Sequence, residues 1–268
     1  MTGPIFDTHA HYTSHQFDPD RDELLRSLPG QGVVGVVECA THYDTSLAAI
    51  QLAEAYPWIW AAVGIHPESL IEEDAATQTR FGGNWQAELD AIRPLLENPR
   101  VVAIGECGLD HHWPIPREAQ LALFEAQLQM AVELDKPIII HDREAHAEVY
   151  QLIRKYRPRG VVHCYSGSPD DAAWIAAQGM YIGFGGASTF KGAKRAMRSI
   201  QALPLESILL ETDCPYMAPE PCRGQRCHSG LIAHTGAFVA QVKGLEPETV
   251  FAATLDNARR LFLPNQTF

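Results

Sequence analysis

Two histidines separated by one residue close the first apolar run of the chain, Ile5-Phe6-Asp7-Thr8-His9-Ala10-His11. In an extended strand alternate side chains face the same way, so His9 and His11 point together. A pair of imidazoles at a strand end is a ready chelate for a divalent metal. The pattern recurs: Glu106, His141, His163 and Asp213 each close a later apolar run. Four imidazoles and two carboxylates suit Zn, Mn, Mg, Ni or Fe in mixed nitrogen and oxygen coordination. Six protein ligands exceed what one catalytic metal needs with an open position, so two metals sharing a carboxylate are the economical arrangement. Glu106 is the natural bridge, because its strand lies between the strand-one pair and the strands of His141 and His163. One histidine at a strand end is more often a packing group than a ligand. The weight here comes from the His-x-His pair and the regular placement of all six residues. His15, His42, His146, His228 and His234 lack that regularity and read as ordinary surface or packing residues.

Eight short apolar runs must position these ligands: Ile5–His9, Val33–Cys39, Ile59–Ile65, Val101–Glu106, Pro137–His141, Val161–His163, Met180–Gly183 and Ser207–Glu211. Several are apolar without alternation, as for parallel strands buried on both faces. Helical segments are expected at Asp20–Leu28, Thr45–Tyr56, Trp85–Glu97, Arg117–Leu134, Ala145–Tyr156, Asp170–Gln178 and Ala193–Ala202. Two more are expected between Ile232 and Leu263, split near Gly244. Along Arg117–Leu134 the stripe Leu121, Phe124, Leu128 and Val132 predicts the buried face. Eight β/α repeats predict a single TIM-type (β/α)8 barrel over residues 1–268, with the metal site at the C-terminal ends of the strands. Loops Pro67–Gly83, His111–Pro116 and Pro215–Gly230 would form its rim and carry selectivity.

Composition narrows the class. The 268 residues are 46% hydrophobic and 20% charged, enough for a full core and far from a disordered chain. No apolar run is long enough to span a membrane, and Met1-Thr2-Gly3-Pro4 leads straight into the first strand with no basic leader. The expected location is the cytoplasm, and a monomer is the expected state. Six cysteines, four of them at strand ends, read as thiols of a reducing compartment acting as small hydrophobes. Cys107, Cys164 and Cys214 directly follow proposed ligands and should face away from the metal if strand geometry persists there. Cys222, Cys227 and His228 are too loosely spaced, with no matching pair, for a zinc clip. A net charge of -12 argues against broad coating of nucleic acid but leaves a nuclease open, since bound cations neutralise phosphate locally.

An ordered set of motifs resembles the TatD family of metal-dependent deoxyribonucleases, within the amidohydrolase-like barrels. It comprises Phe6-Asp7-Thr8-His9-Ala10-His11, Phe17-Asp18-Pro19-Asp20-Arg21-Asp22, Gly64-Ile65-His66-Pro67, Gly105-Glu106 before Gly108-Leu109-Asp110, and Ile140-His141 followed by Arg143. His163-Cys164-Tyr165-Ser166-Gly167, Leu210-Glu211-Thr212-Asp213-Cys214-Pro215-Tyr216 and Asn257-Ala258-Arg259-Arg260-Leu261-Phe262 complete it. The resemblance implies that His9, His11, Glu106 and Asp213 hold one divalent metal, and Glu106, His141 and His163 a second. It implies a hydrolase of ester bonds, a nuclease acting on single-stranded or frayed DNA from its 3′ end. Asp213, with Glu106, would be catalytic, Asp213 accepting the proton of the attacking water. His66 and Arg143 would contact substrate phosphate; for His66, orienting a metal ligand is the equal alternative. Glu211 would share a strand face with Asp213, as core ion partner, ligand support or substrate group. Asn257 reads as a hydrogen-bonding residue rather than a catalytic one. Trp113, Tyr165 and Tyr216 could stack a terminal base or pack on their own loops.

The chain departs from the family where Arg-Asn-Glu-Pro commonly follows Arg-Gly-Lys. Here the segment reads Arg223-Gly224-Gln225-Arg226-Cys227-His228-Ser229, without the acid and the proline. That bears on whatever substrate contact or loop geometry the segment normally provides. His111-His112 also replaces a more aromatic pair. The rival reading is a small-molecule amidohydrolase or esterase using the same binuclear site, since fold does not fix substrate. A non-catalytic scaffold is disfavoured because all six ligands are present.

Overall fold

A computed structural model describes residues 3–71 and 80–264. Part of the expected loop Pro67–Gly83 and the first two residues of the chain lie outside them. Eight strands are ordered in the sheet as in the sequence: β1 (Ile5–Ala10), β2 (Val33–Cys39), β3 (Ile59–Val63), β4 (Val101–Asp110), β5 (Ile138–Arg143), β6 (Gly160–Val162), β7 (Tyr181–Phe184) and β8 (Ile208–Leu210). The helices between and after them are α1 (Arg21–Ser27), α2 (Tyr43–Ala55), α3 (Trp85–Ile92), α4 (Arg117–Glu133), α5 (His146–Tyr156), α6 (Pro169–Ala177), α7 (Lys194–Ala202), α8 (Ile232–Lys243) and α9 (Pro247–Phe262). The expected elements are all found, with ends moved by a few residues. The expected helix Trp85–Glu97 divides at Ile92 into α3 and a 3-10 turn, Arg93–Glu97, with Pro94 at the break.

The chain forms two compact units. One comprises Met1–Glu38 and His163–Phe268, the other Cys39–Val162.

In the first unit β1 pairs in parallel with β2, and β7 with β8. β1 is buried at every position, its polar Asp7, Thr8 and His9 included. The segment after β8 lies against β1: the Asp213 amide donates to the His9 carbonyl at 2.9 Å, and the His11 amide to the Cys214 carbonyl at 2.9 Å. Asn257 on α9 donates to the carbonyls of Leu205 and Ile208 at 2.9 and 2.8 Å, fixing the start of β8. It is the hydrogen-bonding residue the sequence suggests.

In the second unit β3, β4, β5 and β6 pair in sequence, all parallel. Gly108 is demanded at the β4–β5 contact. Its φ is +151°, and a Cβ there would lie 2.0 Å from the His141 carbonyl oxygen. The apolar stripe predicted for α4 needs correction. Phe124 and Leu128 are buried, but Leu121 is half-buried and Val132 is 49% exposed. The buried face instead includes Gln120 and Gln127, both fully enclosed. Each amide pairs twice with one backbone residue. Gln120 accepts from the Asp110 amide and donates to its carbonyl, both at 2.8 Å. Gln127 does the same for Ile65, at 2.8 and 2.9 Å. Both amides are therefore satisfied, which is why polar residues are tolerated on a core face. They anchor the C-terminal end of β4 and the segment that leads from β3 into His66.

Candidate metal centre

The first unit gathers His9, His11, His163, Glu211 and Asp213. His9 Nε2 lies 3.0 Å from His11 Nε2. Asp213 Oδ1 lies 3.2 Å from His11 Nε2 and 3.8 Å from His9 Nε2. The His163 ring stacks on His9 with centroids 3.9 Å apart and planes 9° apart. Two imidazole nitrogens turned toward each other beside a carboxylate require a proton or a cation between them. The donor set therefore fits a divalent metal. Burial alone would raise the Asp213 carboxyl, but the hydrogen bond from His11 and the nearby imidazoles outweigh it and hold it below the usual carboxylate range.

Asp213 is not on a strand. β8 ends at Leu210, and Asp213 adopts the left-handed conformation at φ +59°. Cys164 does likewise at φ +44°. Strand alternation thus stops before both residues, and the expected shared face of Glu211 and Asp213 dissolves. Glu211 is fully buried, accepts from the Cys164 amide and lies 3.8 Å from His163 Nδ1. Burial pushes its carboxyl up to about 7 against the pull of His163 and the Cys164 N–H. It supports His163 from inside the protein and offers no face to substrate. Gly183 of β7 makes the room: a Cβ there would lie 2.3 Å from Glu211 Oε2.

Asp7 and Glu38 were not singled out by their spacing. Asp7 accepts from the amides of His9 and Thr212 at 3.2 and 3.0 Å, and from the hydroxyls of Thr212 and Ser229 at 2.6 and 2.7 Å. Its carboxyl is pushed up to about 6 by burial despite these donors. Glu38, also buried, accepts from the amides of Tyr12 and Thr13 at 2.8 and 2.7 Å and from the Thr13 hydroxyl at 2.8 Å. Together they fix the backbone on both sides of the His-x-His pair. A buried acid inside an apolar run is the signal that marks them, since an unpartnered one would be costly.

The altered Arg223–Ser229 segment belongs to the same network. Ser229 donates its amide to the Tyr12 hydroxyl at 2.8 Å and its hydroxyl to Asp7. Arg226 forms a bidentate pair with Asp20 at 2.8 and 2.5 Å and stacks over Phe17. Loop geometry is thus supplied by Ser229 and Arg226.

The second unit gathers His66, Glu68, Glu106, Asp110 and His141. His141 Nδ1 lies 3.0 Å from Glu106 Oε1, and its Nε2 lies 3.0 Å from Asp110 Oδ2. Burial alone would lower the imidazolium, yet the bonds to Asp110 and Glu106 push its pKa up to about 10. Glu106 and Asp110 lie four residues apart on β4, while His141 sits opposite Gly108 in the register. His66 Nδ1 accepts from the Glu68 amide at 3.2 Å, which leaves the ring proton on Nε2, 3.6 Å from Glu106 Oε1. That geometry favours orientation of Glu106. Glu68 and Asp110 carry no role in the sequence reading; Glu68 directly follows the motif of His66, and Asp110 closes the motif of Glu106. Arg143 is exposed two residues beyond His141. Of the three rim aromatics, Tyr165 is buried and donates to the Ser168 carbonyl of its own loop. Trp113 and Tyr216 are 43% and 52% exposed.

Comparison with known proteins places these features in a family. The family model described as TatD related DNase matches residues 6–263. The chain is 35% identical to an uncharacterized metal-dependent hydrolase, YabD, of Bacillus subtilis, over 97% of this chain and 100% of that protein. It is 34% identical to the 3′-5′ ssDNA/RNA exonuclease TatD of Citrobacter koseri, over 96% and 98%. Its fold is similar to that of the crystal structure of YJJV, a TatD homologue from Escherichia coli, with a TM-score of 0.86, 31% identity and coverage of 96% and 97%. The fold is accordingly the TIM (β/α)8 class. No helix among the described residues is long and apolar enough to cross a membrane.

Proposed function

The chain belongs to the TatD related DNase family, and from that membership we propose that it is a 3′-5′ exonuclease on single-stranded or frayed DNA, cleaving phosphodiesters with divalent metal. As a member of this family it is a metal-dependent hydrolase acting on ester bonds. His9, His11, Glu106 and Asp213 would hold one cation, and Glu106, His141 and His163 a second, with Glu106 shared. Bound there, such cations supply Lewis acidity, making a water nucleophilic near neutral pH and neutralising phosphate. The observation that carries the reading is the convergence of His9 Nε2, His11 Nε2 and Asp213 Oδ1 within 3.8 Å.

The protein's own groups divide the remaining work. Asp213, whose side chain is 14% exposed where His9 is fully buried, reaches the substrate side and accepts the proton of the attacking water. His66 orients Glu106 through its Nε2 proton. Asp110 orients His141 in the same way, and Glu211 braces His163. Arg143 offers a fork of donors to substrate phosphate. Six thiols in a chain of 268 residues suit the cytoplasm as the working compartment. We take the chain to act as one domain and as a monomer.

The decisive experiment resupplies metal-stripped protein with Mg, Mn or Zn and follows a 5′-labelled single-stranded DNA oligonucleotide. A ladder of shortening products that needs metal and vanishes in Glu106→Ala is the expected result. Glu106→Ala should also bind less metal while remaining folded. Stoichiometric metal binding with no cleavage would instead assign the chain to small-molecule hydrolases.

A further inference from the structure

The loop after β4 presents an indole to solvent while holding it still. Trp113 is 43% exposed, although large aromatic side chains are among the most costly to leave in water. Its backbone amide and that of His112 donate to Asp110 Oδ1, at 3.4 and 2.9 Å. Its indole N–H donates to the Glu68 carboxylate. The His112 ring meets it edge-on at 5.0 Å, and His112 is itself paired with Glu144 at 3.1 Å. The Arg143 guanidinium lies over the indole, 5.8 Å from its centroid. An exposed aromatic fixed at several points has lost its freedom before any ligand arrives, which lowers the entropic cost of stacking on it.

The placement ties this surface to the metal centre. One carboxylate, Asp110, holds His141 with Oδ2 and the Trp113 loop with Oδ1. Arg143 follows His141 by two residues on β5, so both point to the same side, about 7 Å apart along the strand. That distance is close to one nucleotide step of an extended strand. A planar π-face and a bidentate cation one step from the hydrolytic ligands match the two parts of a nucleotide, base and phosphate.

We propose that Trp113 and Arg143 form the subsite for the nucleotide adjoining the scissile phosphate, its base stacked on the indole and its phosphate on the guanidinium. The inference rests on the nuclease reading above and specifies where the strand lies. Stacking on a π-face accepts any base, so the subsite selects single strands without reading sequence. A paired base keeps its faces against its neighbours and cannot use it.

The test compares metal-loaded wild type with Trp113→Ala, Trp113→Phe and Arg143→Ala on two substrates. One is a single-stranded oligonucleotide, with a base or an abasic unit at the position adjoining the cut. The other is methyl p-nitrophenyl phosphate, a small diester with no nucleobase. Trp113→Ala should raise KM for the oligonucleotide about tenfold with a smaller change in kcat, lowering the ratio of strand to small-diester cleavage. Trp113→Phe should restore most of the ratio, separating the ring face from the N–H that reaches Glu68. The abasic oligonucleotide should lose the same factor with wild type and nothing further with Trp113→Ala. Arg143→Ala should raise KM and flatten its dependence on salt. A Trp113→Ala enzyme matching wild type on strands, or losing both substrates equally, overturns the subsite alone. A wild-type enzyme that hydrolyses the small diester but no strand overturns the nuclease reading with it.

Discussion

Asp110 is not among the proposed ligands, yet it holds the Nε2 of His141 at 3.0 Å while His141 Nδ1 faces Glu106. A ligand imidazole works only in the right tautomer and orientation, and both depend on the partner of its other nitrogen. Asp110→Asn keeps the volume and removes the charge. It should lower metal affinity by about 10–100-fold, as loss of such outer partners does. Titration calorimetry with Mn or Zn would check it. A parallel measurement on Glu68→Gln separates the neighbouring carboxylate, which bonds Trp113 rather than His141. Unchanged affinity in Asp110→Asn would assign the orientation of His141 to Glu106 alone.

At the scale of elements, polar side chains with complete hydrogen bonding do work usually credited to apolar packing. Gln127 on α4 pairs with both backbone groups of Ile65, the residue before His66. Gln127→Leu restores the apolar stripe but leaves a buried N–H and C=O without partners. It should destabilise the protein by about 2–4 kcal/mol, at about 1–3 kcal/mol for each unsatisfied group less what relaxation recovers. Denaturant unfolding would measure it. In the first unit, Ser229 joins the segment after β8 to Asp7 on β1 and to Tyr12. Ser229→Ala keeps the amide bond to Tyr12 and removes one of four donors to Asp7. It should cost about 1–2 kcal/mol. Gly183→Ala drives a methyl into Glu211 and should lower metal content as well as stability, because Glu211 braces His163. Metal content measured beside unfolding tells the two effects apart.

For the molecule as a whole, bound cations should act as part of the fold. Carboxylates and imidazoles gathered in low-dielectric surroundings oppose folding until their charges are compensated. Resupplying metal to stripped protein at about 100 times its Kd should add about 2.7 kcal/mol of stability by mass action. Calorimetry should show a matching rise in Tm that Glu106→Ala largely abolishes. The net charge of -12 sets a second expectation. Strand affinity here depends on one or two local phosphate contacts, so the logarithm of KM should change with the logarithm of salt by a slope near one, at about 0.7 per neutralised phosphate of a single strand.

The six candidate ligands stand out in the chain because each closes an apolar run, although Glu106 lies inside β4 and Asp213 lies three residues past β8. The eight strands and nine α-helices among the described residues followed from the same periodicities. What failed was local. The α4 stripe was misplaced because Gln120 and Gln127 look like solvent residues until a backbone partner far along the chain satisfies them. Alternation misjudged Glu211 and Asp213 because the strand stops at Leu210 and Asp213 turns left-handed, a choice made by its contacts with His9 and His11. His66 had two roles in sequence; the amide of Glu68 on its Nδ1 and Glu106 beside its Nε2 favour the orienting one. Asp7 and Asp110 lie within quoted motifs and Glu38 within an apolar run, but no spacing assigns them or Glu68 a role, since each receives hydrogen bonds from residues brought near by folding. Sequence determined where the strands run and which side chains lie near them, because hydrophobic period is a local property. Only tertiary structure decided which of them approach one another, because that depends on distances between atoms that the chain order leaves far apart.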